Sequence, residues 1–240
     1  MFIDDKGIVL RCVKYDDKSF IAHLFTASRG HVSFMVSGSH GKRSGTSARL
    51  FQPMNFLSFQ WDAKPNASLQ RMREARLLFV HQSIPLDTIK RSVALLLTEF
   101  MAYTLCHETA NPDLYLYIEH SIRWYDMAEE GYANFHLVFL LKLARFLGIA
   151  PNMEAYSDGD LFDLTNGHFI SYGTASGNIM SGHDTHLLFM LSEASYDSMG
   201  DIAMNRQERA RMTHYLATYY AIHTPKFPTL QSLEILQQLM

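Results

Sequence analysis

Short runs of alternating apolar and polar residues, separated by turn signals, occupy the first third of the chain. In "GHVSFMVSG", Val32, Phe34 and Val36 alternate with smaller or more polar neighbours, and "MNFLSFQW" repeats the pattern. Five such runs lie between residues 6 and 79, separated by "KYDDK", "ASRG", "GSHGKRSGTS" and "DAKPNA". Five short strands with one long loop predict a small closed antiparallel β-barrel such as an OB-fold, although an SH3-like barrel gives much the same pattern.

The remainder of the chain has helical periodicity. A helix is predicted to start near Pro85 and Asp87, and further helices are predicted over about 112–130, 133–148, 185–196, 206–222 and 229–239. The stretch 151–182 is rich in Gly, Asp and Asn, with at most a short hairpin around "LFDLTNGHFIS". We therefore expect a two-domain α+β protein, with a barrel over 1–80 and an all-α domain over 81–240 that carries a loop-rich insertion at about 151–182.

Charge divides unevenly between these two parts. Residues 1–80 hold twelve Lys/Arg and six Asp/Glu, a balance of +6, whereas residues 81–240 hold nine and eighteen, a balance of −9. A basic module joined to an acidic one suits a polyanion such as nucleic acid, although charge also varies between halves by chance. The N-terminus lacks a signal-peptide pattern and no apolar run reaches membrane-spanning length, so we expect a cytoplasmic protein that does not contact a membrane.

Motifs for catalysis and metal binding are missing or weak. "GSHGKRS" fails the P-loop spacing, and the G-x-S-x-G, H-E-x-x-H and strand-linked G-x-G-x-x-G patterns do not occur. The chain has two cysteines, which excludes a cysteine-rich zinc site. His168, His183 and His186 with Asp184 could form a metal site, but Asp184 or Thr185 is better explained as a helix cap. We therefore expect no catalytic site, cofactor or metal.

Basic and aromatic residues are interleaved in the barrel half. Tyr15, Phe20 and Phe25 lie among four cations, and cations that neutralise phosphates beside rings that stack on bases suit single-strand binding. The four cations are Arg11, Lys14, Lys18 and Arg29. The alternative is that the rings only fill the barrel. Arg71, Arg73 and Arg76 could form a second patch, but a role in solubility is as plausible.

The segments occur in a recognisable order: "KGIVLRCVKYDDKSFIAHLFTASRGHVSFMVSGSHGK" is followed by "ARLFQPMNFLSF" and later by "FLLKLARFLGIAP" at Phe139–Pro151. In the first two stretches, and more loosely in the third, the chain resembles the RecO family of recombination mediators. The resemblance implies an OB-fold and a helical domain without a catalytic site. It also implies binding of single- and double-stranded DNA, strand annealing, and action with RecR to help RecA replace single-strand-binding protein, in the cytoplasm at the nucleoid. Many members carry a four-cysteine zinc module after the "L-G-x-x-P" segment, whereas residues 152–182 contain no cysteine.

The resemblance also suggests where partners bind. We expect Lys42, Arg43 and Arg49 on the glycine-rich loop to clamp DNA together with Arg11, Lys14, Lys18 and Arg29, by charge and with little sequence preference. The cations of the acidic half could receive the acidic C-terminal tail of single-strand-binding protein; they are Arg123, Lys142, Arg145, Arg206, Arg209 and Arg211. Two alternatives remain open: an RNA- or protein-binding adaptor, and a metal-dependent enzyme built on the three histidines.

Overall fold

A computed structural model describes residues 2–17, 19–37, 48–62, 64, 67–154, 156–171 and 177–239. The chain forms two compact units, Met1–Asp126 and Met127–Met240. The sequence-based division at residue 80 stays a prediction, since the unit that contains the barrel strands also contains two helices. None of the described helices combines the length and apolar character needed to cross a membrane.

The first unit is built on a five-stranded antiparallel sheet. Its strands are β1 (Phe2–Lys14), β2 (Ser19–Thr26), β3 (Gly30–Ser37), β4 (Phe56–Asp62) and β5 (Met72–Leu77), in the order β3-β2-β1-β4-β5. The sheet closes where Gln70, just before β5, bridges β3 in parallel: the Gln70 N–H donates to the Ser33 carbonyl and its carbonyl accepts from Met35 N–H. This closure makes the sheet the predicted OB-type barrel.

The barrel interior is filled by the alternate residues that the sequence predicted. Leu24 and Phe34 are fully buried, and the Phe34 ring meets the edges of Phe59 and Trp61 at centroid distances of 5.3 Å. Because side chains alternate across a strand, burying Ala22 and Leu24 turns His23 to the outer face. The interior packing thus determines which polar side chains the barrel exposes.

Helices α1 (Thr88–Thr104) and α2 (Pro112–Met127) complete the first unit. The Asp87 carboxylate caps α1 by accepting from the N–H groups of Ile89 and Lys90. Part of the outer barrel face is covered, since Phe25 is fully buried and lies against the ring of Tyr115 on α2 at 6.5 Å. The covered part of the barrel is core, so only the rest of its outer face can receive a ligand.

The second unit contains α3 (Phe135–Phe146), α4 (His183–Glu193), α5 (Arg206–His223) and α6 (Gln231–Leu239). The stretch 151–182 forms a small sheet from β6 (Leu161–Asp163), β7 (His168–Ile170) and β8 (Ile179–Met180) in the order β7-β6-β8. The hairpin predicted there is present, but the third strand was not predicted because its two residues carry no periodicity.

The predicted cap of α4 is wrong. Gly182, with φ of 60°, occupies the cap position, and Asp184 lies within the first turn of the helix. Its carboxylate accepts two hydrogen bonds from the guanidinium of Arg211 on α5, at 3.0 and 2.8 Å. Asp184 therefore joins two helices instead of capping one.

Candidate nucleic-acid interface

A row of cationic and imidazole side chains crosses the uncovered outer face of the barrel. Arg11 on β1 pairs with His23 on β2, which pairs with Ser33 on β3. His23 Nδ1 lies 2.9 Å from Ser33 Oγ, and the imidazole stacks on that of His31 with centroids 5.5 Å apart and planes 12° apart. Burial, together with the nearby His23, Arg11 and His107, lowers the pKa of His31 to about 4. His31 is therefore neutral at pH 7, and the positive charge of this row comes from Arg11.

The row continues into a cavity of about 330 Å³, called here the barrel cavity. Its lining combines the cationic Arg29 and Lys64 with His31 and the indole of Trp61. Uncharged residues complete the lining, and none of the described lining residues is acidic; the uncharged ones are Val32, Ser33, Ala67, Ser68 and Gln70. Cations beside polar groups, without a competing carboxylate, suit a phosphodiester.

The turn that carries Arg29 is held by glycine. Gly30 has φ of +71°, a conformation that favours glycine, and a Cβ there would collide with the backbone of Glu108 and Thr109. The neighbouring N–H of His31 donates to the Glu108 carbonyl at 3.0 Å. The close approach of the two backbones therefore positions both Arg29 and His31 at the cavity.

Gln70 positions Lys64 from the other side of the cavity. Its side-chain Nε2 donates to the carbonyls of Lys64 and Ala67 at 2.8 and 2.9 Å, and its Oε1 accepts from Lys64 N–H at 3.2 Å. The same residue closes the barrel through its backbone. One residue thus connects barrel closure to the shape of the β4–β5 loop.

The structure brings together only part of the predicted DNA-binding set. Lys18, Lys42 and Arg43 lie outside the described residues. Arg49 is exposed on a short 3₁₀ helix, Ala48–Phe51, and Lys14 is exposed and ion-pairs with Asp17 at 2.9 Å. Arg11 belongs to the row and Arg29 to the cavity, so these two share one surface.

The predicted aromatic residues divide between core and surface. Phe25 is core, whereas Phe20 is partly buried and meets Phe51 edge-on at 5.3 Å. Tyr15 is 62% exposed, which leaves its ring available for stacking on a base.

Sequence reasoning missed His23, His31, Lys64 and Gln70 as parts of this surface. The phase of the alternation could have identified His23, since Ala22 and Leu24 face inward. No local signal marks Gln70, because its role depends on a parallel pairing with β3 that is distant in sequence.

The six cations predicted to bind a partner do not form a single group. Arg123 lies in the first unit, where it ion-pairs with Glu119 at 3.0 Å and covers the ring of Phe79 at 3.8 Å. The other five lie in the second unit, in which Arg211 is paired with Asp184.

The other four cations of the second unit differ in their contacts. Arg209 donates to the Met204 carbonyl, and Arg206 is exposed at the start of α5. Lys142 lies over the ring of Tyr196 at 5.3 Å, and burial together with nearby Arg145 lowers the pKa of Lys142. Of the six predicted cations, Lys142 and Arg145 are therefore the two that best fit a binding site for an acidic peptide.

The three histidines proposed for a metal site are not brought together. His183 and His186 line a cavity of about 490 Å³ with Tyr156 and Asp158, and His168 is not part of that lining. Tyr156 Oη lies 3.1 Å from His186 Nδ1. Within the described ranges, no three His, Cys, Asp or Glu side chains are grouped so that they could hold a metal ion.

Comparisons with known proteins cover nearly the whole chain. Family models described as the N-terminal and C-terminal parts of Recombination protein O match residues 1–80 and 85–233. The DNA repair protein RecO of Bacteroides fragilis is 39% identical and that of Phocaeicola vulgatus 37%, each across 97% of both chains. The protein of the same name from Porphyromonas gingivalis is 33% identical over 100% of this chain and 99% of its own. The chain therefore belongs to the RecO family, as the resemblance predicted.

Proposed function

We propose that this protein is a non-enzymatic DNA-binding mediator of recombinational repair. It binds single- and double-stranded DNA, anneals complementary strands and, with RecR, helps RecA load onto DNA coated by single-strand-binding protein, in the cytoplasm at the nucleoid. The observation that carries the proposal is the barrel surface itself: Arg11, His23 and His31 lead into a cavity with Arg29 and Lys64. The names of the relatives, which are DNA repair proteins, support the same class.

Binding on this surface acts through charge. Arg11 on β1, Arg29 in the β2–β3 turn and Lys64 in the β4–β5 loop neutralise phosphates. The exposed ring of Tyr15 can stack on any base. The basic loop with Lys42 and Arg43, followed by Arg49, would add further phosphate contacts. We expect weak sequence preference and affinity that falls steeply with salt.

Fluorescence anisotropy of a labelled single-stranded oligonucleotide across a salt series tests this proposal. We expect the double variant Arg29→Ala, Lys64→Ala to weaken binding and to make the salt slope shallower by about 1.4, which corresponds to two phosphate contacts on a single strand. The triple variant Lys42→Ala, Arg43→Ala, Arg49→Ala tests the loop in the same way. Arg91→Ala, on the exposed face of α1, is the matched control and should bind as the wild type does.

Three outcomes would contradict this proposal. Wild type that fails to bind at low salt refutes it altogether. A double variant that binds unchanged refutes the assignment to the barrel cavity. Tighter binding of RNA than of DNA of equal length and sequence favours the RNA-binding adaptor instead.

The acidic tail of single-strand-binding protein is proposed to bind the second unit. Lys142 and Arg145 supply adjacent positive charge, and Tyr196 provides an apolar ring beside Lys142. We expect Lys142→Ala, Arg145→Ala to weaken binding of a peptide with that tail sequence while DNA affinity stays unchanged. Loss of DNA affinity with retained peptide binding would reverse this assignment.

A further inference from the structure

A second cationic cavity lies on the other side of the β4–β5 loop. It measures about 680 Å³, and its charged lining residues are Asp62, Lys64, Arg71 and Arg73; we call it the β5 groove. Three cations against one carboxylate leave the described lining with a net charge of +2. The ring of Phe2 lies beside these charged residues in the lining of the groove. A groove with this charge suits an anionic ligand.

Arg73 is preorganised for a phosphate. Its guanidinium carbon lies 4.5 Å from the centroid of the Phe2 ring, and Phe2 is 44% exposed. A guanidinium stacked on a ring has its face occupied while its N–H edges stay available, which is the geometry that binds a phosphate through two hydrogen bonds. Arg71 is exposed, and its side chain forms no ion pair or hydrogen bond with the described residues.

The β5 groove adjoins the barrel cavity. Lys64, Ala67 and Gln70 line both, so the loop that Gln70 holds separates two cationic depressions with one shared lysine. A polyanion in the barrel cavity therefore reaches the β5 groove by passing Lys64. A chain of regularly spaced phosphates matches this arrangement of charges better than a compact anion does.

We propose that the β5 groove binds the continuation of the single strand held in the barrel cavity, with phosphates on Arg71 and Arg73 and a base against Phe2. This inference rests on the proposed function, because it extends the path of the same strand. It assigns to Arg71 and Arg73 a role in determining how many nucleotides the barrel covers.

Oligonucleotides of two lengths test the extension. Labelled single strands of about four and about twelve nucleotides both lie within the range of site sizes for such barrels. We expect Arg71→Ala, Arg73→Ala to bind the short strand as the wild type does. On the long strand the variant should bind more weakly, with a salt slope shallower by about 1.4. Arg76→Ala, exposed on the same strand, is the control and should leave both affinities unchanged.

Each other outcome refutes the inference in a recognisable way. Wild type that binds neither strand refutes the proposed function and the inference together. If the double variant binds the long strand normally, the groove does not contact DNA, and loss of binding to polyglutamate would then assign it to an acidic protein segment. If both strands lose affinity equally, the groove is part of the first site and is not its extension.

Discussion

Replacing Gln70 with leucine tests whether barrel closure positions a phosphate-binding lysine. The substitution keeps a side chain of similar size at a site that is 8% exposed, and it removes three side-chain hydrogen bonds. The two bonds donated by Nε2 are of ordinary length, and the one accepted from Lys64 N–H, at 3.2 Å, is at the long end of the normal range. The backbone bonds from Gln70 to β3 do not depend on the side chain.

The expected loss of stability follows from these bonds. A neutral hydrogen bond contributes about 0.5–1.5 kcal/mol net, and because Lys64 is exposed, water can replace part of what its backbone loses. We therefore expect Gln70→Leu to lower the free energy of unfolding of the first unit by about 2 kcal/mol. Both tryptophans, Trp61 and Trp124, lie in this unit, so intrinsic fluorescence during urea unfolding reports on it.

The effect on DNA binding separates positioning from direct contact. Gln70→Leu releases the loop that carries Lys64, so the salt slope for a single strand should become shallower by about 0.7, the value for one phosphate contact. Lys64→Ala should change the slope by the same amount while leaving the unfolding free energy nearly unchanged.

Two results would refute this reasoning. If Gln70→Leu loses stability but keeps the wild-type slope, Lys64 does not depend on Gln70 for its position. If Lys64→Ala also keeps the slope, Lys64 does not contact a phosphate.

Three further substitutions give expected outcomes. Gly30→Ala should cost about 2–4 kcal/mol in urea unfolding, from the left-handed backbone and the collision with Glu108, and unchanged stability would contradict this. Burial raises the pKa of Asp126, but hydrogen bonds from the N–H groups of residues 82–84 lower the pKa below 3.8 overall. The ionised carboxylate therefore stabilises the fold above pH 3.8, and this stabilisation is lost as the pH falls further. Asp126→Asn should be about 2–3 kcal/mol less stable at pH 7 and should lack this acid-dependent loss of stability. Burial lowers the pKa of His31 from 6.5 to about 4. As the pH drops from 6.5 to 4 the unfolded chain takes up this proton and the folded chain does not, so the free energy of unfolding falls. In His31→Gln, the urea midpoint measured at several pH values should fall less over this range.

The strands of the barrel could be predicted because their signal is local. Alternation in "GHVSFMVSG" and "MNFLSFQW" reports which face each strand buries; β3 lies within the first run, and β4 lies within the second except for its last residue. The helices were predictable for the same reason, since α3 and α5 each repeat apolar residues over several turns. Periodicity over eight or more residues is sufficient for both kinds of element.

Phe25 shows where local signals end. Alternation places it on the outer face of the barrel with His23, and an outer aromatic residue among cations is typical of a base-stacking site. The ring is nevertheless core, because Tyr115 from α2 packs against it. Which part of an outer face is covered depends on helix docking, which the periodicity of the strand does not encode.

Long-range pairs escaped prediction for a related reason. Asp184 has the residue type and position of a helix cap, yet it pairs with Arg211, twenty-seven residues away in the chain. Gln70 looks like an ordinary loop glutamine, and only its pairing with β3 reveals its role. In both cases the partner is determined by tertiary packing.

Two carboxylates of the first unit, Asp5 and Glu119, form hydrogen bonds and ion pairs within that unit. Asp5 accepts hydrogen bonds from Ser28 Oγ at 2.6 Å and from Trp61 Nε1 at 3.1 Å, and the mostly buried Glu119 pairs with Lys6 and Arg123. A carboxylate that is removed from water needs such partners, so these acids are committed to internal contacts.

The cations of the binding surface have the opposite environment. The side chains of Arg11, Arg29 and Lys64 form no ion pair with any described residue, and the described lining of the barrel cavity contains no acid. No ion pair therefore neutralises these three cations, although Asp62 shares the lining of the β5 groove with Lys64, and their charge attracts phosphates to this surface. The fold thus engages Asp5 and Glu119 in contacts within the unit while Arg11, Arg29 and Lys64 stay exposed.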